Sequence, residues 1–182
     1  MNRRQLLNEK EINMMLLRLC HQLIENHHDF SETVLIGLQP RGTYFAQRIG
    51  HLLNSILDRK IQLGWLDITF HRDDFRRREI PLQASATEIN FPIENKKVIL
   101  IDDVLFTGRS VRAALDALTD YGRAQSVELL VLIDRKYTRE LPISAHYVGR
   151  SVDSVQSQKV LVEWESASAH DAVWLVSDAE AE

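Results

Sequence analysis

Two adjacent carboxylates, Asp102 and Asp103, precede a short turn rich in hydroxyl groups and glycine, Thr107-Gly108-Arg109-Ser110. Such a turn can bind a phosphate, because glycine lets the backbone approach closely and the Thr and Ser side chains offer hydroxyl donors. If a helix begins there, its first N–H groups are unpaired and its dipole is positive at that end, which favours an anion. The turn therefore predicts a phosphate site.

The acidic pair restricts which phosphate compound fits. Carboxylates do not bind a phosphate directly, but they accept hydrogen bonds from the two hydroxyls of a ribose and hold a hydrated Mg²⁺ beside a pyrophosphate. A phosphorylated ribose satisfies both halves of the motif. An acidic pair alone is more often a strand end and a helix cap, so the adjoining turn favours the site. A P-loop is excluded, since it requires Gly and Lys where this chain has Asp103 and Arg109.

The residues around the motif predict a strand and a helix that position it. Residues 98–101 form a continuous apolar run, which is typical of a strand buried on both faces of a parallel sheet. After the turn, apolar residues recur at helical spacing as far as Leu118, and Gly122 is placed as a helix C-cap. The acidic pair thus follows the carboxyl end of a buried strand, where open α/β sheets bind their ligands.

The rest of the chain alternates between strand and helix patterns. Residues 12–24 and 45–56 have apolar residues at helical spacing, and Asn8 with Glu11 predicts a capping box before the first helix. Apolar stretches predict further strands at 33–38, 60–70, 126–133, 145–148, 160–164 and 172–176. The alternation predicts an α/β fold with a mostly parallel sheet covered by helices on both faces.

Length and composition predict one globular domain that spans residues 1–182. Apolar residues make up 45% and charged residues 26%, and the formal net charge of -4 gives no global signal for nucleic acid or membrane. We expect no signal peptide and no membrane-spanning segment, since the apolar runs are short. The single cysteine, Cys20, excludes an internal disulfide, is predicted to fill the core, and fits a reducing cytoplasm.

Residues 98–110 resemble the 5-phosphoribosyl-1-pyrophosphate (PRPP) signature of type I phosphoribosyltransferases. Residues 101–113 are most similar to the pyrimidine operon regulator family, whose members are also uracil phosphoribosyltransferases. The resemblance covers nearly the whole chain. It implies the type I fold, a mostly parallel twisted sheet flanked by helices, with a flexible lid loop at about 71–92. It also implies a small hood formed by about 136–182 together with the N-terminus.

The same resemblance implies an activity and its partners. PRPP and uracil would react to give UMP and pyrophosphate, with Mg²⁺ as the cofactor, in a cytoplasmic homo-oligomer without a membrane partner. Met14, Leu17 and Trp174 are either interface residues of that oligomer or core residues. Transfer to another base, such as orotate, xanthine or adenine, is a further alternative.

Roles for the motif residues follow from the resemblance. Asp102 and Asp103 would bind the ribose hydroxyls, hold Mg²⁺ through water or those hydroxyls, and stabilise the positive charge that develops on the ribose. The turn Thr107-Gly108-Arg109-Ser110 would anchor the 5′-phosphate. Phe106 stands where the 6-oxopurine enzymes have an Asp that works as a general acid or base. A phenyl ring cannot transfer a proton, so Phe106 favours a smaller base met by packing.

Other cations are assigned in the same way. Arg41-Gly42 resembles the family's pyrophosphate loop, and Arg72 resembles a residue of the lid that shields the developing sugar cation from water. Residues 76–78, three consecutive arginines, belong either to that lid or to a solvated loop. Arg135 either contacts the base or a phosphate, or pairs with an acidic neighbour at the end of its strand.

A second function implied by the resemblance is that of an RNA-binding attenuator of pyrimidine genes, which senses UMP or PRPP. The basic positions that match the family's RNA surface are Arg18, His21, Arg139 and Arg150. Residues 143–147 lack an arginine that family members often carry, and the turn at 136–138 has an extra residue. Phosphate binding depends steeply on the number of cations, so a merely solvated basic helix face is the alternative.

Overall fold

A computed structural model describes residues 2–73, 85–155, 157–165 and 170–177 of the chain. Its strands are β1 (Asn2–Leu7), β2 (Thr33–Leu38), β3 (Leu63–Leu66), β4 (Lys97–Leu105), β5 (Ser126–Lys136), β6 (Tyr147–Asp153), β7 (Gln158–Glu163) and β8 (Ala172–Ser177). Its α-helices are α1 (Glu9–His27), α2 (Gly42–Leu57) and α3 (Arg109–Leu118). No helix among these residues is long and apolar enough to cross a bilayer.

Five parallel strands form the central sheet in the order β3-β2-β4-β5-β6. The motif strand β4 lies in the middle, where Ile101 is opposite Gly37 of β2 and Leu130 of β5. Loops that leave the carboxyl ends of β2, β4 and β5 therefore meet at one edge of the sheet. The predicted α/β fold, a mostly parallel sheet flanked by helices, is confirmed.

Alternate residues of β4 pack against opposite layers of the protein. Ile99 and Ile101 belong to an apolar cluster with α1 and α2, while Val98 and Leu100 join a second cluster with α3. Burial on both faces explains the continuous apolar run of this strand. The local predictions for α1 also hold, because Asn8 and Glu11 form the capping box and Cys20 is buried in the first cluster.

A separate antiparallel sheet, which we call the small sheet, has the order β1-β8-β7. Its valines and leucine at positions 160, 162, 173 and 175 are part of the cluster formed with α1 and α2. In the register of the small sheet, Arg3 and Lys159 both lie opposite Val176, so the three residues form one row across the strands. The small sheet thus packs one face on the domain and carries two cations in a row.

Several elements differ in extent from the sequence predictions. Of the strand predicted at 60–70, only Leu63–Leu66 forms a strand, and a short 3₁₀ helix follows at Thr69–His71. By contrast, β4 and β5 continue past their apolar runs because backbone pairing extends as far as Leu105 opposite Asp134. Helix α3 ends at Leu118, and Gly122 instead follows a 3₁₀ turn, where it has a φ of 129°. The prediction missed β1, an edge strand without an apolar run.

An ion pair and an aromatic stack attach the small sheet to α2. Arg48 donates to both carboxylate oxygens of Asp171, at 2.8 and 2.9 Å, and the side chain of Asp171 is only 2% exposed. The Arg48 guanidinium also lies over the ring of Trp164, which stacks on Phe45 at a centroid distance of 6.2 Å. The buried carboxylate therefore depends on one arginine of α2 for its compensating charge.

We expect Arg48→Met to lower the free energy of unfolding by about 3 kcal/mol, because Asp171 would stay buried without a cation. Urea denaturation measures the change. The matched control is Arg59→Met, which removes an arginine from an exposed pair with Asp29 and should leave stability almost unchanged. Equal losses in both variants would contradict a special role for the buried pair.

Candidate active site

A cavity of about 770 Å³ opens where the carboxyl ends of β2, β4 and β5 meet. The predicted site residues that line it are Arg41, Arg72, Asp102, Asp103, Phe106, Ser110 and Arg135. These residues come from three strand ends, the turn before α3 and the segment after β3. The fold therefore gathers most of the residues that the sequence singled out.

The two carboxylates occupy the centre of the cavity, near the end of β4. Asp103 is 5% exposed, and its Oδ2 is buried with no hydrogen-bond partner in the described part of the chain. The Asp103 N–H donates to Oδ1 of Asp102 at 2.9 Å. Burial and the neighbouring Asp103 charge raise the pKa of Asp102 well above its usual range, while burial raises the pKa of Asp103 against the opposing effect of Arg41. The pair is thus suited to a ligand that brings hydrogen-bond donors or a cation.

Two arginines flank the acidic pair from different loops. Arg41 stabilises the ionised form of Asp103, and Arg72 stabilises that of Asp102. Arg72 also donates from Nη1 to the hydroxyl of Ser110 at 2.7 Å, which connects the segment after β3 with the first turn of α3. Positive charge next to two carboxylates suits a ligand that carries both anionic groups and hydroxyls.

The turn before α3 has the geometry of an anion site. Gly108 precedes the helix with a φ of 92°, a conformation that side chains rarely adopt, and α3 begins at Arg109. A Cβ at Gly108 would also lie 3.3 Å from the side chain of Ile143. The segment after β5 holds the backbone of Thr107 in place, since the Thr107 carbonyl accepts hydrogen bonds from the N–H groups of Glu140 and Leu141. The helix N-terminus therefore offers its N–H groups beside Ser110.

The side chain of Arg109 turns away from the acidic pair. Its Nε donates to Glu140 at 2.6 Å, and its Nη1 donates to Asp73. Arg112 of the next helical turn lies 3.7 Å from the same Asp73. The guanidinium of Arg109 therefore joins three surface segments, while its backbone N–H donates to Oγ1 of Thr107 at 3.4 Å. The arginines predicted at 76–78 lie outside the described residues.

Gly42 allows α2 to begin in direct contact with the motif strand. A Cβ at Gly42 would be 2.5 Å from the carbonyl oxygen of Ile101 and 3.1 Å from the Cα of Asp102. The preceding peptide bond between Gln39 and Pro40 is cis. This close approach places Arg41 and the first turn of α2 against the acidic pair, a constraint that a lone Arg-Gly dipeptide does not reveal.

Phe106 and Arg135 form the opposite wall of the cavity. Arg135 is 4% exposed, and its guanidinium carbon lies 3.9 Å from the centre of the Phe106 ring. Burial lowers the pKa of the guanidinium. An ion pair between Arg135 and its acidic neighbour, one of the two alternatives, is not formed, because Asp134 is bound by Arg139 at 2.5 Å. Arg135 lines the cavity, and its contact with a base or a phosphate stays a prediction.

The sequence prediction missed two cations of the cavity wall, Arg3 and Lys159. They come from β1 and β7, more than 150 residues apart in the chain, and only the register of the small sheet brings them together. Arg3 pairs with Glu163 at 2.6 Å and lies over the Trp174 ring. Trp174, for which the sequence left interface and core as alternatives, lies in this sheet beneath Arg3. No short motif in the sequence marks Arg3 or Lys159.

The basic residues predicted to bind RNA fall into two places. Arg18 of α1 donates to the carbonyls of Val148 and Gly149 at 3.1 and 2.7 Å, next to Arg150 of β6. Both arginines are exposed, as is His21 one helical turn further along α1. Arg139 is instead partly buried behind the cavity, where it donates to the Phe106 carbonyl and to Asp134.

Comparison with known proteins gives the class of the protein first. The family model described as the phosphoribosyl transferase domain matches residues 2–167, and the chain belongs to that family. Within it, the chain is 44% identical over 171 residues to the bifunctional protein PyrR of Desulfosudis oleivorans, covering 94% of each sequence. It is 40% identical to the bifunctional protein PyrR of Bacillus subtilis, covering 92% of this chain and 93% of the relative. The chain is a member of the PyrR family.

Solved structures confirm the type I phosphoribosyltransferase fold. A hypoxanthine phosphoribosyltransferase from Staphylococcus aureus superposes with a TM-score of 0.65 at 24% identity, covering 84% of this chain and 79% of that one. The Trypanosoma cruzi hypoxanthine phosphoribosyltransferase in complex with its product IMP has a TM-score of 0.64 at 16% identity, covering 81% and 75%. At these identities the likeness concerns the fold alone.

We expect Gly42→Ala to lower the free energy of unfolding by about 1–3 kcal/mol, because the added methyl group would overlap backbone atoms of β4 that cannot move aside. Thermal or urea unfolding measures the loss. Gly50→Ala is the matched control in the same helix, since its Cβ would meet only the end of the Leu63 side chain at 3.1 Å. A loss at position 50 as large as that at 42 would contradict the proposed close approach.

Proposed function

We propose that the protein transfers the 5-phosphoribosyl group of PRPP to N1 of uracil, giving UMP and pyrophosphate. The observation that carries this proposal is the order of the strand ends along the cavity. Arg41 follows β2 on one side, Asp102 and Asp103 lie on β4 in the middle, and Phe106 faces Arg135 of β5 on the other side. A ribose between a leaving pyrophosphate and an incoming base needs three sites in this order.

Each part of PRPP has a set of residues suited to it. The turn Thr107-Gly108-Arg109-Ser110 binds the 5′-phosphate through the N–H groups of α3 and the hydroxyls. Asp102 and Asp103 accept hydrogen bonds from the ribose hydroxyls, and Arg41, Gly42 and Arg72 hold the pyrophosphate. Phe106 and Arg135 face the base. The small sheet serves as the hood and residues 71–73 as the start of the lid, in one phosphoribosyltransferase domain.

The same residues promote the reaction by electrostatics and positioning. As the bond between C1 and the pyrophosphate oxygen breaks, positive charge grows on the ribose and the adjacent carboxylates stabilise it. Arg41 and Arg72 balance the charge of the leaving group at the same time. Because the phosphate turn and the acidic pair fix the sugar at two points, C1 is held beside N1 of the base.

The acidic pair fits Mg²⁺ as the cofactor. Carboxylate oxygens are the ligands this cation prefers, and Oδ2 of Asp103 is a buried acceptor without a partner among the described residues. Those residues contain no group of three or more acidic, histidine or cysteine side chains that would bind a metal by itself. Asp102 and Asp103 would therefore hold the ion together with water or ribose hydroxyls. When bound, it neutralises charge on the pyrophosphate.

We expect Asp102→Asn and Asp103→Asn each to reduce UMP formation from PRPP and uracil by about 10²- to 10³-fold, because the charge that stabilises the ribose cation is removed. The assay follows labelled uracil into UMP. Asp116→Asn, at an exposed carboxylate on α3, is the matched control and should keep wild-type turnover. Wild-type rates in both site variants would refute the assignment. Competition by orotate, xanthine and adenine tests the choice of base.

A second function, binding of pyrimidine-operon leader RNA, is supported by a specific surface. Arg18 and Arg150 are exposed neighbours on α1 and β6, with His21 on the same face of α1. Membership of a family named for bifunctional proteins also favours it. Arg139, the fourth residue of this proposal, contributes less, since Asp134 balances its charge and its side chain is only 23% exposed.

We expect the double variant Arg18→Gln, Arg150→Gln to weaken leader-RNA binding in a gel shift with UMP and to lower the salt slope by about one per lost phosphate contact. UMP formation should be unchanged, because neither residue lines the cavity. A leader RNA of scrambled sequence controls for general affinity. No shift at low salt with the wild-type protein would leave only the enzymatic function.

We further propose a cytoplasmic homo-oligomer. Met14 and Leu17 are 65% and 46% exposed on α1, which is unusual for large apolar side chains on one helix face, and they would be covered by a second subunit. The sole cysteine, Cys20, is a free buried thiol, as expected in a reducing compartment.

A further inference from the structure

Arg135 is a buried cation for which the described residues supply no carboxylate partner. Burying a charge is unfavourable unless hydrogen bonds or an opposite charge compensate for it. The acidic residue next to it, Asp134, is bound by Arg139 instead. Among the described residues, compensation therefore consists of hydrogen bonds to neutral groups and the contact with the Phe106 ring at 3.9 Å.

The hydrogen bonds of Arg135 account for three of its five N–H donors. Its Nε donates to the hydroxyl of Ser154 at 2.8 Å, and its Nη2 donates to the carbonyls of Val155 and Gln158 at 3.1 and 2.8 Å. Two acceptors lie in the turn between β6 and β7, and the third, Gln158, is the first residue of β7. The two N–H groups of Nη1 have no acceptor within the described chain, although this residue lines the cavity.

The planar shape of a guanidinium determines where those two donors lie. Nε and Nη2 form one edge, and this edge faces the β6–β7 turn, so Nη1 occupies the opposite corner. The bonds to the turn and the packing on Phe106 fix the position of that corner. Nη1 is therefore a preorganised donor, since little side-chain freedom remains to be lost when an acceptor arrives.

Strand order indicates which part of the substrate meets this donor. Arg41 follows β2 and Arg135 is near the end of β5, with β4 between them. Neighbouring strands are about 4.8 Å apart, so these two strands are separated by roughly 10 Å. If pyrophosphate leaves on the Arg41 side of the acidic pair, the base enters on the Arg135 side.

We propose that Arg135 is the specificity-determining residue of the base site, and that Nη1 donates to an exocyclic carbonyl oxygen of the pyrimidine ring. This inference rests on the proposed phosphoribosyl transfer and assigns the base contact within it. The hydrogen bonds to the β6–β7 turn hold the guanidinium, and Phe106 supports it from one face. A base without an acceptor at that position would cover this donor and leave it unpaired, which is how hydrogen-bonding sites reject analogues.

The test combines a change in the protein with a change in the base. Arg135→Met keeps an unbranched, apolar side chain at this position but removes the guanidinium and with it every N–H donor. We expect kcat/KM for uracil to fall about 10- to 100-fold, as for loss of one charge-assisted hydrogen bond, with KM for PRPP within about twofold of wild type. The wild-type protein should also prefer uracil to 2-thiouracil or 4-thiouracil, because sulfur is a weak acceptor. Arg135→Met should use uracil and the analogue that the wild-type protein disfavours with similar kcat/KM.

Ser154→Ala is the matched control, since it removes one bond to the turn while leaving Nη1 in place. It should change kcat/KM for uracil by less than about threefold. An equal effect of Ser154→Ala and Arg135→Met would reduce Arg135 to a structural role and overturn the proposal. So would a KM for PRPP that rises as much as that for uracil, or a wild-type protein that uses both thio analogues as well as uracil.

Two further outcomes separate this inference from the proposed function. Wild-type protein that forms no UMP would overturn the function itself, whereas UMP formation with unchanged uracil kinetics in Arg135→Met overturns only the base contact. If the Met variant does not fold by circular dichroism, Arg135→Lys replaces it. Lys keeps the charge but lacks the planar edge, so the loss of thio discrimination should persist.

Discussion

The burial of two adjacent carboxylates at the end of the central strand is the constraint on which the rest of the structure depends. Burial raises the pKa of both carboxyl groups, and the charge of Asp103 raises that of Asp102 further, so the ionised forms are disfavoured at this position. Only a strand with apolar packing on both faces can hold them there, and β4 has such packing from two separate clusters. The site is thus maintained at the expense of local stability, as is common where function requires an unfavourable arrangement.

The surroundings of the acidic pair follow from this constraint. Gly42 brings the start of α2 onto the backbone of β4, and the segment from Glu140 onwards fixes the phosphate turn by hydrogen bonds to Thr107. The side chain of Arg109, a residue of the predicted phosphate turn, joins Asp73 and Glu140. Groups that need not contact a ligand thereby position the backbone of the turn. The N–H and hydroxyl groups of the turn can then bind the ligand.

What the sequence could predict was local. The strand, acidic pair, turn and helix of the motif are contiguous, and their apolar spacing and glycine indicated both the structure and the phosphate chemistry. The capping box of α1 was predictable for the same reason, since Asn8 and Glu11 are three residues apart. Arg3 and Lys159 were missed because their proximity arises only from strand register. The partners of Arg135 were missed because they lie 19–23 residues away, in a turn without a pattern and at the first residue of β7.

The pairing of β1 with β8 has a consequence for biosynthesis. The partner of Asn2–Leu7, the strand Ala172–Ser177, is synthesised more than 160 residues after it. Until β8 is made, β1 is therefore an unpaired strand, available for pairing with a neighbouring nascent chain on the same mRNA. Arg3 and Arg4 give this short strand two positive charges, which oppose such association until the last strand emerges.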